Sequence, residues 1–143
     1  AMAAPFVTGG ETYMHGLTYS AHPLTTAIAS SVIGIYQRER VLENVRDLAP
    51  RFEAGLQELR RIPLVGDVRG GHGLMCALEL VSDHARKTPI DKHTIQRLQT
   101  ATYEAGVMLR VSGPNVIFSP PLIIDEADTA KILSALDQGF ASL

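Results

Sequence analysis

Apolar positions change their spacing several times along the chain, and each change marks an element. From Leu24 to Tyr36 nearly every residue is small or apolar, and Pro23 stands where a first helical residue needs no N–H, so a helix buried on all sides or set in an interface is expected. Within Val41 to Arg60, Leu42, Val45, Leu48, Phe52, Leu56 and Leu59 recur at steps of three and four, which predicts an amphipathic helix. Pro50 inside it should force a kink or a break near Ala49. Leu64 to Arg69 and Leu74 to Val81 then read as two strands joined across Gly70, Gly71 and Gly73, and the polar Ser82 to Pro89 as a connection. Asp91 fits the N-cap of a helix that runs to about Glu104, with Ile95 and Leu98 on its stripe and Gly106 closing it. Val107 to Val111 and Asn115 to Ser119 predict short strands around the turn Ser112-Gly113-Pro114. Asp125 caps a last helix whose apolar face holds Ala127, Ala130, Ile132, Leu133, Leu136 and Phe140. Ala1 to His22, rich in Gly, Thr, Ser and Ala without helical period, reads as loop or extended chain.

The order is loop, two helices, two strands, helix, two strands, helix. The second half reads as an α+β unit, and residues 62–143 are expected to own a core from Leu74, Leu78, Leu80, Ile95, Leu98, Val107, Ile117, Ile132, Leu133 and Leu136. On that reading they fold without residues 1–61, while the helix from Pro23 is part of something larger and is covered by another chain or domain.

Composition narrows the functional classes. At 143 residues and 45% hydrophobic, the chain is one domain or a piece of a larger protein, and intrinsic disorder is excluded for the whole. The balance of 13 Lys+Arg against 15 Asp+Glu gives a formal net charge of -2, which leaves no electrostatic footprint for nucleic acid or an anionic membrane. Apolar runs fall short of the ~20 residues that cross a bilayer, and no basic segment leads into one near the N-terminus, so neither a membrane span nor an export signal is expected. The single cysteine, Cys76, lies in the apolar run Gly73 to Val81, as a small buried hydrophobe would, and fits a reducing, cytoplasmic compartment. His15, His72, His84 and His93 have no metal spacing with one another or with Cys76. Gly70-Gly71-His72-Gly73 lacks the strand-turn-helix setting of a dinucleotide loop, and Asp83, His84, Arg86 and Lys87 read as a solvated loop.

Three blocks in order carry a resemblance. His15-Gly16-Leu17-Thr18-Tyr19-Ser20-Ala21-His22-Pro23, then Val68-Arg69-Gly70-Gly71-His72-Gly73-Leu74-Met75 with Glu79-Leu80, then Gly106-Val107-Met108-Leu109-Arg110 through Phe118-Ser119-Pro120-Pro121-Leu122 resemble the class III pyridoxal-phosphate aminotransferases, the ω-transaminase family. The resemblance spans essentially the whole chain. It implies an α/β fold, the C-terminal part of a fold type I transferase: residues 1–61 as the end of the large cofactor domain with interdomain helices, residues 62–143 as the small α+β domain with an antiparallel sheet. The implied cofactor is pyridoxal 5'-phosphate. The implied partners are a small-molecule amino donor, a keto acid, a missing N-terminal portion and a second copy in a homodimer.

In that family a lysine holds the cofactor as a Schiff base and an aspartate pairs with its pyridine nitrogen, both upstream of the His-Gly-x-Thr-Tyr stretch. The lysines here, Lys87, Lys92 and Lys131, all lie downstream, so none carries over, no catalytic residue is assigned and the chain alone is expected to be inactive. Thr18 corresponds to the threonine that reaches across the dimer to the neighbouring cofactor's phosphate; the plainer reading is a hydroxyl satisfying its own turn. Tyr19, Ser20 and His22 shape the same loop, His22 more as a hydrogen-bonding residue at a helix start than as a base. Many family members carry Gly where this chain has Ala21. Arg110 follows an apolar strand and precedes a Gly-Pro turn, a place suited to bidentate capture of a carboxylate. The resemblance makes it the arginine that binds the substrate carboxylate and swings aside for an apolar amine; the plainer reading is a surface arginine with an acidic neighbour. Arg69 reads as structural. The expected activity is transfer of an amino group from an amine or ω-amino acid to a keto acid such as pyruvate. The alternatives are a class III aminomutase or decarboxylase, and a non-catalytic α+β module that binds a ligand or partner.

Overall fold

A computed structural model describes residues 3–143, so Ala1 and Met2 of the expected N-terminal loop lie outside the described residues. The chain divides into two compact units at Arg38 and Glu39.

The first unit contains two helices. Ala4–Val7 (α1) is a single turn where loop was expected: Pro5 at the start of the turn has its φ already set and no N–H to satisfy, and the Phe6 ring packs edge-on to Tyr13 at 5.3 Å. Pro23–Arg38 (α2) begins at the expected proline and runs two residues past Tyr36. The hydroxyls of Thr25 and Thr26 both donate to the His22 carbonyl, at 3.0 and 3.1 Å. No residue of α2 is buried, and Leu24 and Ile28 are 64% and 54% exposed.

The second unit opens with Val41–Glu58 (α3), entered through Arg40 in the left-handed conformation at φ 53°. The helix is unbroken across Pro50, against the break expected near Ala49. Pro50 is exposed, so only the bond to the carbonyl one turn back is lost, while Leu48, Phe52 and Leu56 on the opposite stripe are almost wholly buried and hold the helix in place. A 3₁₀ turn, Leu59–Arg61, ends it.

The sheet has five strands: Val65–His72 (β1), Met75–Asp83 (β2), Thr88–Pro89 (β3), Arg110–Ser112 (β4) and Asn115–Phe118 (β5). Its order is β1-β2-β5-β4 with β3 paired to β2, and every pairing is antiparallel. Gly71, at the irregularity near the end of β1, and Gly73, in the β1–β2 turn, have φ 88° and 62°, which glycine adopts without a Cβ clash. Ser82 to Pro89 is more than a connection, because β2 runs to Asp83 and folds back on β3. Val107 to Leu109, expected as strand, is not strand. The N–H of Val107 bonds the Thr102 carbonyl at 2.8 Å and that of Gly106, at φ 84°, bonds Tyr103 at 2.9 Å; these bonds close the preceding helix and leave Val107 no donor for a ladder.

That helix, Lys92–Glu104 (α4), has the expected cap, Asp91, which accepts from the Thr94 N–H at 3.0 Å. Glu126–Ala141 (α5) starts with a capping box: Asp125 accepts from the Asp128 N–H at 2.9 Å, and the Asp128 carboxylate accepts from the Asp125 N–H at 3.2 Å. Cys76, Leu78 and Leu80 of β2 point into one core with Phe52, Leu56, Leu98, Val116, Phe118 and Leu136, and the rings of Phe52 and Phe118 meet edge-on at 5.9 Å. Cys76 is buried; loss of water and then the nearby Glu53 charge push its thiol above the ordinary cysteine range. Ile117, expected in the core, belongs to the other face, since it pairs with Ala77 and Arg110 while its neighbours Val116 and Phe118 point inward. α3 supplies Leu48, Phe52 and Leu56 to this core, and the second compact unit begins at Glu39.

Candidate functional site

Thr18 sits in a tight turn. The Ser20 N–H donates to the Leu17 carbonyl at 2.9 Å, and the Ser20 hydroxyl accepts from the Leu17 N–H at 3.3 Å. Ser20, not Thr18, closes the turn. Among the described residues neither the hydroxyl nor the backbone N–H of Thr18 has a hydrogen-bond partner, and the residue is exposed. Next to it Tyr19 is exposed, its ring 5.9 Å from that of His22. His22 works through its carbonyl, the acceptor at the start of α2. Ala21 has φ 56°, the left-handed region in which a Cβ costs roughly 1 kcal/mol. A glycine here answers to backbone conformation, whatever approaches it.

Arg110 opens β4 opposite Ile117 and is exposed. Its guanidinium has no hydrogen bond or ion pair among the described residues. Beside it lies a cavity of about 410 Å³ whose walls include Leu109, Ile117, Phe118, Pro120 and Ile132. A cation without a counter-ion at the rim of an apolar hollow suits a small molecule with a carboxylate at one end and carbon at the other.

Arg69 is the opposite case. One end of its fork donates to Glu79 at 2.5 Å and lies 3.5 Å from Asp67, and the other donates to Asn115 Oδ1 at 2.6 Å. Asp67 also receives Arg60 at 2.6 Å. Desolvation raises the Asp67 carboxyl, but the Arg60 bond, the Val68 N–H and the two guanidinium charges outweigh it and hold Asp67 below the usual range. Sequence reasoning missed Asn115 and Asp67. Asp67 stands two residues from Arg69 with the apolar Val68 between them, which was the signal available, whereas Glu79 and Asn115 join them only through strand pairing. Thr18 and Tyr19 belong to the first unit and Arg110 to the second. The three lysines are exposed: Lys87 in the turn before β3, Lys92 on the first turn of α4 and Lys131 on α5.

Comparison with known proteins gives the context. The chain is 37% identical over 141 residues to putrescine–pyruvate aminotransferase of Pseudomonas aeruginosa, covering 94% of the chain and 30% of the relative. It is 35% identical over 124 residues to probable gamma-aminobutyrate transaminase 3, mitochondrial, of Oryza sativa subsp. indica, covering 85% and 24%. Among solved structures, a PLP-bound amine transaminase from an uncultivated Pseudomonas species superposes with a TM-score of 0.82 at 37% identity, over 92% of the chain and 30% of that protein. The PMP-bound aminotransferase of Vibrio fluvialis gives 0.80 at 37% identity, over 94% and 30%. The chain thus spans 24% to 30% of the length of these relatives. The family described as aminotransferase class-III matches residues 2–140, and with these relatives it settles the affiliation: the chain belongs to the class III aminotransferases.

Proposed function

We propose that this chain serves as the C-terminal part of a pyridoxal-phosphate-dependent aminotransferase that moves an amino group from an amine or ω-amino acid to a keto acid such as pyruvate. Residues 1–61 then end the large cofactor domain and carry the interdomain helices, and residues 62–143 form the small domain. An N-terminal portion supplies the lysine, and the enzyme works as a homodimer in the cytoplasm. The relatives named for putrescine with pyruvate and for gamma-aminobutyrate support the donor class.

The observation that carries this reading is the unpaired Arg110 guanidinium at the rim of an apolar hollow, in a chain of this family. A monocarboxylate is held by two N–H donors of one fork while its carbon end meets the apolar wall that includes Ile117 and Pro120. For an amine without a carboxylate the same fork, tied to nothing else, is free to turn to water.

Thr18 offers a hydroxyl and a backbone N–H with no partner among the described residues, a donor pair that fits a phosphate oxygen, and Tyr19 shapes the same turn. When bound, pyridoxal phosphate supplies the electron sink and the temporary carrier of the amino group. Thr18 and its turn anchor; they move no proton.

In the complete enzyme, Arg110→Ala is expected to lower kcat/KM for pyruvate by about 2 to 4 kcal/mol, the range for removing a charge-assisted partner. An unchanged kcat/KM for pyruvate would refute the assignment.

A further inference from the structure

Arg69 and Arg110 occupy the same cross-strand row of the sheet. Arg69 in β1 lies opposite Ala77 in β2, Ala77 opposite Ile117 in β5, and Ile117 opposite Arg110 in β4. Side chains of one row share one face, here the face turned away from the core. Three strand spacings separate the two arginines, about 14 Å, so a carboxylate on Arg110 is out of reach of Arg69.

The neighbouring row reads Asp67, Glu79, Asn115 and Ser112 in the same strand order. Asn115 links the two ends of the sheet. Its Oδ1 accepts from Arg69 at 2.6 Å, and its Nδ2 donates to the Ser112 carbonyl at 3.2 Å, two residues from Arg110. Only one orientation of the amide satisfies both bonds, because the reverse would point an N–H at the guanidinium. Arg69 is itself fixed by Glu79 and Asp67. From the other side, Gln99 of α4 donates its Nε2 to the Leu109 carbonyl at 3.3 Å, the residue just before Arg110. The backbone is therefore held by side chains on both flanks of an arginine whose own side chain is tied to nothing.

We propose that Asn115, with Arg69 behind it, and Gln99 are positioning residues for Arg110, setting how well the enzyme prefers carboxylate-bearing substrates although none of the three touches the substrate. The proposal rests on the carboxylate role of Arg110. A fork with several rotatable bonds captures a carboxylate in bidentate fashion only if its Cα is placed to within a fraction of an ångström, and the two flanking bonds supply that placement. An uncharged substrate uses no such bond and is indifferent to them.

The test uses the complete enzyme and the ratio of kcat/KM for pyruvate to kcat/KM for an uncharged aldehyde acceptor. Asn115→Ala is expected to lower the ratio about tenfold with the aldehyde reaction little changed, since a displacement of about 1 Å costs up to about a hundredfold. Gln99→Ala acts from the opposite flank and carries the same expectation should Asn115→Ala fold poorly. Arg69→Lys, which keeps the charge beside Glu79 but loses the fork to Asn115, should fall between the parent and Asn115→Ala. In an Arg110→Ala background, Asn115→Ala should leave the ratio where Arg110→Ala puts it. Equal loss on both substrates, an unmoved ratio, or a further fall in the Arg110→Ala background would each overturn the proposal. If Arg110→Ala itself leaves the ratio unchanged, the carboxylate reading fails and takes the proposal with it, which separates the two failures.

Discussion

Two successive helices, α2 and α3, were built on opposite plans. The first is apolar on nearly every side and has no buried residue among those described; the second is studded with charge and buries Val41, Leu48, Phe52 and Leu56. Hydrophobicity alone does not place a helix in a core. Spacing does, because a stripe at steps of three and four gives a sheet one face to receive, whereas an all-round apolar surface asks for cover from several sides. The helix that sequence composition would rank as most buried has no buried residue among those described, an apolar surface of the kind that a partner surface covers.

Truncation separates the two helices most strongly. Residues 39–143 should keep a cooperative thermal transition by circular dichroism, and residues 62–143 should lose it. The shorter piece lacks Leu48, Phe52, Leu56 and Leu59, all buried, each worth about 2 to 5 kcal/mol against a total near 5 to 15. A cooperative melt of 62–143 would restore the expectation that the second half owns its core.

Single side chains sharpen the point. Leu56→Ala, at a site of 0% exposure, should destabilise by about 3 kcal/mol in urea titration, and Ile28→Ala, at 54%, by less than about 0.5. Glycines go further, because the same substitution should change sign. A Cβ at Gly139 in α5 meets Leu98 and Thr102 at 2.9 Å, both fully buried, so Gly139→Ala should cost about 1 to 3 kcal/mol. At Gly34 in α2 nothing lies within 4 Å, and Gly34→Ala should favour the helix by up to about 1 kcal/mol, read as a gain in helical ellipticity.

The smallest effect concerns pH. The Thr94 N–H and hydroxyl hold the Asp91 carboxyl below its ordinary 3.8, so the folded form binds its proton less readily than the unfolded chain does. The stabilisation is therefore present above pH 3.8 and disappears as the pH falls through 3.8 and below. Asp91→Asn keeps an acceptor without the titration, and melting temperatures of the two proteins should converge as acid is added.

Much of the second unit was legible because its signals are local. Asp91, Asp125 and Gly106 mark helix ends by chemistry within four residues, and the stripe of α3 is visible in one stretch. What stayed hidden depends on partners distant in sequence. Whether Ile117 faces in or out is a matter of register, whether Pro50 breaks a helix depends on how firmly Leu48 and Phe52 are packed, and whether Val107 joins a strand depends on the Thr102 carbonyl claiming its N–H. The site followed the same rule. Arg110 before a Gly-Pro turn stood out in the sequence, although it opens β4 and does not end the strand expected at Val107 to Leu109, while the links from Arg69 and Asn115 needed three strands in register.

On the proposed function the two units serve different partners, the first a cofactor phosphate through Thr18 and the second a substrate carboxylate through Arg110. The most direct measurement compares Thr18→Ala and Arg110→Ala in the complete enzyme by the ratio of kcat/KM for pyruvate to kcat/KM for an uncharged aldehyde, with excess pyridoxal phosphate. Arg110→Ala should lower that ratio by roughly 30- to 900-fold, the equivalent of about 2 to 4 kcal/mol. Thr18→Ala should leave it within about twofold while losing its cofactor faster on dialysis, at about 1 to 3 kcal/mol of cofactor binding. Equal shifts of the ratio in the two variants, or a Thr18→Ala enzyme that keeps its cofactor as tightly as the parent, would contradict it.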